Sequence, residues 1–569
     1  MRAAGGLRAP GGLLRAESGL ALLTAIVVTL VMAMLTVAVA NLALSEYATA
    51  VTSQQAVQAF FVAEGGLERA LAVLRTDEDW SDGIGADAAA SDTSWQPLND
   101  DAYDGSAEDK EFPPPGLTPL GKYSIYIRRM SATPSDSINV NSIQVRVIGR
   151  VGRAARTVEF DARRLTASDF VTYSAQDMLI DEGGGNVTVH GSIYVRGDLG
   201  LKAVRTGIYN DRPLFSTDRE PYPNQLYVRG LLDMSAGNPT VGTQTQPMWG
   251  VHAERLDLRN DGRQNLWAYQ VDNLVPDIPY PDVAGYVSAL VASGGYGNAV
   301  QGTLLVVCRE GGTSPIIQPD LVLSAGDAVF YLPTKAYWAS LLDPKQCDFA
   351  PGGVAESANH ILKWEPRLAG QPGLLTFNST VRDLPVLIRG RLGIAKDVVY
   401  SGTGTVVVDY PTATAWAMDS GGTGRDPTGA AGSNITGPCT GSWSCKILAR
   451  QRASERATCG ASPPTTMPVA DLAIFIVNGS VRLYGSSNSC YQEINAVIVA
   501  GARDHAVHKF LSLKKVQVYG VVMANKLDTS QNPDFFQVPD LPNYLPFPLA
   551  QLLGGSGGAV VHRNWKELY

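Results

Sequence analysis

The feature that most constrains this chain is a long apolar segment near its N-terminus. From Leu20 to Leu44 the sequence runs for 25 residues without a charge, which is long enough to cross a bilayer as a helix. Three arginines and one glutamate precede it in residues 1–18. Because positive charge favours the cytoplasmic side, we expect the leader to stay in the cytoplasm and the rest to be exported. A secretory signal would have a shorter apolar region and an A-x-A-like site, and neither is evident.

The apolar segment continues into an amphipathic pattern. No proline occurs between Pro10 and Pro97. Apolar residues recur at helical spacing after the charge-free run, at Leu44, Ala48, Val51, Val57, Phe60, Phe61, Leu67, Leu71 and Leu74. This spacing predicts one continuous helix from about Leu20 to Arg75, roughly 80 Å long. Its first half suits lipid or a bundle of identical helices, and its second half requires a globular partner. The alternative is a plain membrane anchor followed by a separate stalk helix.

Two motifs on this segment resemble those of type IV pilins of the PilX type. Ser18–Leu23 resembles the processing site of that family, and Ala63–Leu71 is similar to the end of its long helix. The resemblance implies that prepilin peptidase cleaves between Gly19 and Leu20. In the family, major pilins carry a glutamate at the fifth mature position, where this chain has Thr24. That glutamate is thought to pair with the N-terminal ammonium of a neighbour, so the substitution resembles minor pilins at the fibre tip. The alternative is that this threonine has no role.

The sequence after the helix predicts a pilin headpiece. Residues 76–111 hold twelve acids and one base, which indicates a solvated loop. Alternating segments at Tyr123–Ile127, Ile143–Ile148 and Thr157–Phe160 predict antiparallel strands that pack on the helix. The C-terminal segment Ala559–Leu568 resembles the closing strand of pilin headpieces. Whether the acidic loop binds calcium is left open by its spacing.

From about Thr166 the sequence consists of short alternating runs that end in glycine. The word Tyr194–Gly197 is repeated in full at Tyr227–Gly230. Many short strands with glycine corners favour a β-solenoid, in which each level is buried on the next. A β-sandwich or jelly roll is the competing architecture. If the strands stack in register, Arg196 and Arg229 of the two words would lie on one face.

The predicted fold is therefore α+β and pilin-like, a long N-terminal α-helix plus an antiparallel sheet, with a large all-β insertion read as a β-solenoid. The predicted order is a prepilin leader at 1–19, a transmembrane and assembly helix at 20–75, the first part of the headpiece at 76–165, the insertion at 166–535 and the closing strand of the headpiece at 536–569.

All six cysteines fall in the predicted insertion, and export permits disulfides. They are Cys308, Cys347, Cys439, Cys445, Cys459 and Cys490. Six cysteines allow about fifteen pairings. The favoured local pair is Cys439 with Cys445. No C-x-x-C motif occurs, so the sequence predicts no zinc site.

The sequence carries no convincing catalytic motif. Gly554–Gly558 matches G-x-S-x-G formally, but it lies in a glycine run without the following helix of a nucleophile elbow. Only six histidines occur, and none forms an H-E-x-x-H motif. We therefore predict no catalytic residues, no metal and no cofactor.

One basic patch stands out in this acidic chain. The net charge of −8 excludes binding of nucleic acid through bulk positive charge, so any such binding requires a local patch. The candidate DNA-binding residues are Arg503, His505, His508, Lys509, Lys514, Lys515 and Tyr519. The cations would contact phosphates and the tyrosine would stack on a base. The alternative is an ordinary solvated face.

Together these features predict a non-catalytic minor pilin at the tip of a type IV pilus that supports assembly, DNA uptake in natural transformation, or adhesion. The chain resembles the large competence minor pilins with an inserted solenoid. The resemblance implies other pilins and prepilin peptidase as partners, with DNA or surface glycans as ligands. We expect a single-pass inner-membrane protein that later reaches the pilus and cell surface. The alternatives are a type II secretion pseudopilin and a membrane-anchored β-solenoid that binds or acts on carbohydrate.

Overall fold

A computed structural model describes the greater part of the chain. The described residues are 13–76, 94–100, 105–113, 118–129, 142–180, 186–202, 205–209, 224–258, 265–312, 314–324, 328–341, 347, 359–367, 371–381, 384–410, 416–419, 447–449, 471–484, 492–500, 509–513, 516–529, 533–538 and 559–568.

The N-terminal helix α1 is a single uninterrupted element. It runs over Leu13–Thr76, 64 residues, or about 96 Å at 1.5 Å per residue. The prediction of one continuous helix is confirmed, and the alternative of an anchor followed by a separate stalk helix is wrong. Every residue from Leu20 to Ala50 is exposed. The segment Leu20–Arg75 is long and apolar enough to cross a membrane.

An antiparallel sheet covers the second half of α1. The first seven strands are β1 (Gln96–Pro97), β2 (Asn99–Asp100), β3 (Gly105–Ser106), β4 (Lys110–Phe112), β5 (Gly121–Arg129), β6 (Ser142–Val151) and β7 (Ala154–Leu165), and the last strand of the chain is β38 (Ala559–Leu568). The sheet has the order β1-β5-β6-β7-β38, and β4 also pairs with β5, whereas β2 and β3 form a separate hairpin. Alternate residues of the central strands face α1, because side chains alternate across a strand.

The remaining strands form one large, mostly-β region. They are β8 (Thr172–Ser174), β9 (Met178–Ile180), β10 (Asn186–His190), β11 (Ile193–Val195), β12 (Leu199–Leu201), β13 (Arg205–Tyr209), β14 (Gln225–Met234), β15 (Thr240–Val241), β16 (Met248–Leu258), β17 (Ala268–Asp272), β18 (Val300–Gln301), β19 (Leu304–Arg309), β20 (Ile316–Gln318), β21 (Leu321–Leu323), β22 (Phe330–Pro333), β23 (His360–Glu365), β24 (Gly373–Phe377), β25 (Val386–Ile388), β26 (Leu392–Ile394), β27 (Val398–Ser401), β28 (Gly404–Asp409), β29 (Trp416–Asp419), β30 (Ile447–Ala449), β31 (Leu472–Asn478), β32 (Ser480–Tyr484), β33 (Gln492–Ala500), β34 (Lys509–Leu513), β35 (Val516–Ala524), β36 (Lys526–Thr529) and β37 (Asp534–Phe536).

Most strands of this region pair in parallel with strands of the next level of a stack. We call each level a tier. The tier that follows the antiparallel sheet in the chain, β8–β10, is the entrance tier, and the last one, β35–β37, is the exit tier. The entrance tier pairs on one side with β11, β12 and β13. On its other side it pairs with the exit tier, through β35–β8, β36–β9 and β10–β37. The chain therefore enters and leaves the stack at neighbouring tiers in its middle.

From the entrance tier the chain builds one arm of the stack, which ends at β16 and β17. A strap, residues 273–299, then leads to the far end of the other arm. It contains the helix α2, Val283–Ser293, with Asp282 as N-cap and Gly294 in the left-handed region as C-cap. The buried side chains of α2 belong to the same apolar cluster as those of β31 and β33. The strap thus lies along the side of the stack and contacts both arms.

The far arm ends in antiparallel strands, which we call the disulfide end, residues 300–377. Here β19 pairs with β18, β20 and β22, and β22, β23 and β24 follow as an antiparallel ladder. Cys308 of β19 is bonded to Cys347. A short helix α3, Lys335–Ser340, follows β22.

Candidate functional site

Glycines bring α1 into close contact with the antiparallel sheet. A Cβ added at Gly66 would lie 2.7 Å from Val147 Cγ1, and one at Gly149 would lie 2.1 Å from the backbone oxygen of Ala59. The helix and β6 therefore approach each other at backbone distance. Ala59 and Val147 are both fully buried in this contact. Gly66 of α1 and Gly149 of β6 thus have a packing role.

The first half of α1 presents an apolar surface with no partner in the described structure. Leu20 is 73% exposed, and the apolar side chains that follow it up to Leu44 are exposed to a similar degree. An apolar surface of this extent marks a protein or membrane contact. Thr24 donates its hydroxyl hydrogen to the carbonyl oxygen of Leu20 at 2.8 Å. Its polar group is therefore satisfied within its own helix.

A column of aromatic rings runs along the side of the stack. Tyr173, Tyr194, Tyr227 and His252 occupy paired positions on successive tiers. The Tyr173 and Tyr194 ring centroids are 4.9 Å apart, and those of Tyr227 and His252 are 4.6 Å apart. Tyr173 donates to the carbonyl oxygen of Ile278 at 2.7 Å, which anchors the strap on the column. Burial raises the pKa of Tyr173, and the neighbouring Tyr194 adds to the effect.

The two arginines of the repeated word lie in register beside this column, because Val195 pairs with Val228. Both bind the same carboxylate of the strap. Asp277 Oδ1 lies 3.3 Å from Arg196 Nη2 and 2.5 Å from Arg229 Nη1. Burial acts to lower the pKa of Arg229, but Asp277 outweighs it, so the pKa is raised.

The alignment expected from the sequence is therefore present, whereas a bare positive stripe is not. Asp277 stands far from both words in sequence, and no sequence signal assigned it to them. A groove of about 520 Å³ opens next to Arg196, between Gln176 and Tyr280.

The predicted DNA-binding patch lies mostly beyond the described residues. Arg503, His505, His508, Lys514 and Lys515 fall outside them, and only the backbone of Lys509 is described. The prediction for these six residues stays untested.

The prediction that Tyr519, the aromatic member of that patch, stacks on a base is wrong. Tyr519 is fully buried, with its ring stacked 4.6 Å from the ring of Phe536 in the exit tier. A ring inside the fold has no face free for a base. The structure instead places Lys526, an exposed lysine that the sequence analysis missed, in register with Lys509.

The cysteines are resolved in part. The structure contains a disulfide between Cys308 and Cys347, one of the pairings that the sequence left open. The favoured pair, Cys439 and Cys445, lies outside the described residues, and so do Cys459 and Cys490. The described part of the chain contains no group of three or more histidine, cysteine or acidic side chains able to hold a metal ion.

Comparisons with known proteins leave the family open. No protein-family model matches the chain, and no curated protein matches it. Among solved structures, the crystal structure of the competence-associated pilin ComZ from Thermus thermophilus is similar to it, with 14% sequence identity and a TM-score of 0.37. The similarity covers 90% of this chain and 97% of that one.

Proposed function

We propose that the protein is a non-catalytic minor pilin that carries a β-solenoid on the headpiece of the fibre subunit. The observation that carries this proposal is the division of α1 into two halves. Residues Leu20 to Leu44 are apolar and exposed, whereas Ala59 to Leu74 bury small and apolar side chains against an antiparallel sheet. A helix of this kind both anchors in a bilayer and packs among like helices once it is extracted.

The parallel pairing of the tiers supports a solenoid over a sandwich. Sandwiches and jelly rolls are built from antiparallel sheets. Here β14 pairs with β16, β28 with β31 and β33 with β35, all in parallel and with the register kept over most of each strand. Parallel pairing of this kind buries each tier on the next.

The places at which the chain enters and leaves the stack support an insertion between β7 and β38. These two strands are neighbours in the antiparallel sheet, so an inserted domain must begin and end in one place. Gln537 joins the two ends, since its Oε1 accepts from Ser192 N–H at 2.9 Å and its Nε2 donates to Asp169 O at 2.9 Å. We therefore extend the insertion to residues 166–538, slightly beyond the predicted 535.

Thr24 supports a place at the tip. A buried carboxylate among apolar helices is unfavourable unless paired. Thr24 carries no charge, and its hydroxyl donates to Leu20 O of its own helix, so the subunit has no buried carboxylate that a neighbour's terminal ammonium must neutralise. We infer that it tolerates a position with a neighbour on one side only.

The processed N-terminus tests this function. Mass spectrometry of protein extracted from the membrane fraction should find Leu20 as the first residue. Gly19→Val should retain the leader, whereas Gly12→Val, in the same leader, should be processed normally. Wild-type protein that keeps its leader while its companion pilins are made would rule the proposal out.

Deletion phenotypes separate the pilus from a type II secretion system. Loss of pili or of transformation, with secretion intact, is the expected result. Immunogold label on the solenoid should appear at fibre ends, and Thr24→Glu should move label along the fibre. Loss of secretion alone would instead favour a pseudopilin.

DNA contact remains a separate proposal for the basic patch. Lys509, Lys514 and Lys515, together with Lys526, supply charge for phosphate contacts. Binding of the full chain to DNA should weaken in Lys514→Glu with Lys515→Glu, and the loss should shrink as salt is raised, because phosphate contacts release counterions. Tyr519→Phe is the matched control, since it keeps a buried ring. Equal DNA binding by the double lysine variant and by Tyr519→Phe would rule out DNA contact by this patch.

A further inference from the structure

The hairpin that joins β6 to β7 lies at the end of the antiparallel sheet nearest to the apolar half of α1. Along β6, Gly149 packs against the backbone of Ala59. A Cβ added at Gly152, in the turn of the hairpin, would lie 2.6 Å from Gln55 Nε2, one turn of α1 closer to its N-terminus. The turn is therefore the part of the sheet that reaches furthest toward the exposed half of the helix. We call residues 149–156 the basic hairpin.

Helix α1 sets the height of the sheet above a bilayer. The charge-free apolar run ends at Leu44. Every residue up to Ala50 is exposed, and Val51 is the first residue after them that is partly covered. The seven residues from Leu44 to Val51 correspond to about 10 Å of helix. Because the headgroup layer is about 5–8 Å thick on each side of the hydrocarbon, only about 2–5 Å remain between the headgroups and the lower edge of the sheet.

This end of the sheet is positively charged in a chain whose net charge is −8. The described charges that lie in the turn, in register with residues 149–151, or bonded to them are five bases and two acids, a formal charge of +3. They are Lys110, Lys122, Arg150, Arg153, Arg156, Asp109 and Glu111. Arg150 Nη1 donates to Asp109 Oδ1 at 2.8 Å. Glu46 of α1 lowers the sum to +2, but it precedes Gln55 by nine residues and so lies on the opposite side of the helix.

The position of the basic hairpin selects one kind of polyanion. The Debye length is about 8 Å at physiological ionic strength, which exceeds the gap left above the headgroups. Arg153, in the turn, is exposed, and a long arginine side chain can extend toward a bilayer surface. Residues 149–156 contain no aromatic ring on which a base could stack. A phosphate layer held at a fixed height therefore fits the hairpin better than a single-stranded nucleic acid does.

We propose that the basic hairpin binds the phosphate headgroups of anionic lipid while α1 spans the bilayer. This inference rests on the proposed function, since it requires α1 to be in the membrane before the subunit joins a fibre. Arg153 contacts the phosphates, and the other bases at this end of the sheet add to the attraction. The contact fixes the orientation of the sheet on the membrane surface, and it must break when the subunit is extracted.

Hydrogen exchange of the full chain in lipid nanodiscs tests the contact. Discs of neutral phosphatidylcholine are compared with discs that also contain anionic phosphatidylglycerol. The amides of residues 150–156 should exchange about fivefold more slowly in the anionic discs, the factor expected for one arginine near an anionic surface. The difference should disappear at about 1 M salt, where the Debye length falls to about 3 Å.

The decisive variant is Arg153→Glu, which reverses the charge of the exposed turn residue. It should lose the slower exchange in anionic discs, whereas Arg153→Lys, which keeps the charge, should retain most of it. Arg309→Glu makes the same change at an exposed arginine of the disulfide end and is the matched control, which should behave as wild type. An unchanged melting temperature verifies folding. Equal exchange by wild type and Arg153→Glu in anionic discs would overturn the proposal.

The amides of Leu20–Leu44 separate failure of this inference from failure of the proposed function. If they are protected in both kinds of disc while the hairpin shows no dependence on lipid charge, the lipid contact alone is wrong. If they exchange freely, the membrane anchor on which both proposals rest is wrong. Inorganic phosphate or duplex DNA added to neutral discs should not protect the hairpin, and protection by either would replace lipid with that ligand.

Discussion

The two ends of the mostly-β region solve the same physical problem differently. At the disulfide end the ladder turns antiparallel, its edge strands β18 and β20 have only two and three residues, and a disulfide joins Cys308 to Cys347. At the other end, which we call the open end and which comprises β16 and β17, the last strand, β17, has five residues, and its Tyr269 and Val271 are exposed. Short edges block strand addition, and long apolar edges invite it. The two ends therefore differ in the length of their edge strands and in how far their apolar side chains are exposed.

The largest expected difference between the ends is in core truncation. Trp364 is fully buried at the disulfide end, whereas Trp249 is 37% exposed at the open end. Trp364→Ala should lower the free energy of unfolding by about 3–5 kcal/mol. Trp249→Ala, the same chemical change, should lower it by less than about 1 kcal/mol. Denaturant unfolding followed by circular dichroism measures both, and similar losses would contradict the comparison.

The disulfide should give the next largest effect. It joins cysteines separated by 39 residues, and removing a native disulfide lowers stability by about 2–4 kcal/mol. Cys308→Ser with Cys347→Ser should therefore raise proteolytic cleavage near the disulfide end. Cleavage near β17 serves as the internal control and should be unchanged. Equal acceleration at both ends would show that the stack unfolds as one unit.

The open end should loosen in acid. Burial acts to raise the pKa of Asp272, but hydrogen bonds from His252 and from Leu274 N–H outweigh it, so the pKa is lowered from the ordinary value of 3.8. A lowered pKa means that the carboxylate stabilises the folded state above that value and that this contribution is lost as pH falls below it.

Hydrogen exchange of the β17 amides, corrected for intrinsic rates, should thus show lower protection at about pH 3 than at about pH 6. Asp272→Asn should remove most of this dependence and lower stability by about 1 kcal/mol. Asp257→Asn, on the same end, should keep the dependence. Equal protection of the wild-type protein at both pH values would show that the His252–Asp272 contact does not stabilise β17.

The smallest effect is expected for the most exposed ring. Tyr269 is 72% exposed, and its ring lies edge-on to that of Trp249 with the two ring centroids 5.9 Å apart. Tyr269→Ala should change the free energy of unfolding by less than about 0.5 kcal/mol. It should instead reduce binding of an apolar dye at the open end. A clear loss of stability would mean that the ring is covered in the folded protein.

Local sequence signals were sufficient where a short stretch of chain defines the structure. The charge-free run and its periodic continuation predicted α1, and the alternating segments predicted β5, β6 and β7. The repeated word placed Arg196 and Arg229 at equivalent positions. Each of these features depends on spacing within one continuous segment or between two copies of one word, which is read directly from the chain.

The same signals failed for contacts that join distant parts of the chain. The basic run before Tyr519 predicts a surface residue, but Tyr519 is stacked on Phe536 inside the exit tier. Asp277 neutralises two arginines on tiers that precede it by about 50 to 80 residues. Strand propensity cannot identify these partners, because it describes a single strand and not the strand on which it is placed.

The sequence by itself determined an apolar N-terminal helix, an antiparallel sheet and a large region of many β-strands. Only the tertiary structure decided that the exit tier lies on the entrance tier, that Gln537 joins the two ends, and that one arm closes while the other stays open. The reason is that stacking is a competition among many similar strands. Its outcome depends on which strands pair across large sequence separations, and no local pattern specifies those pairs.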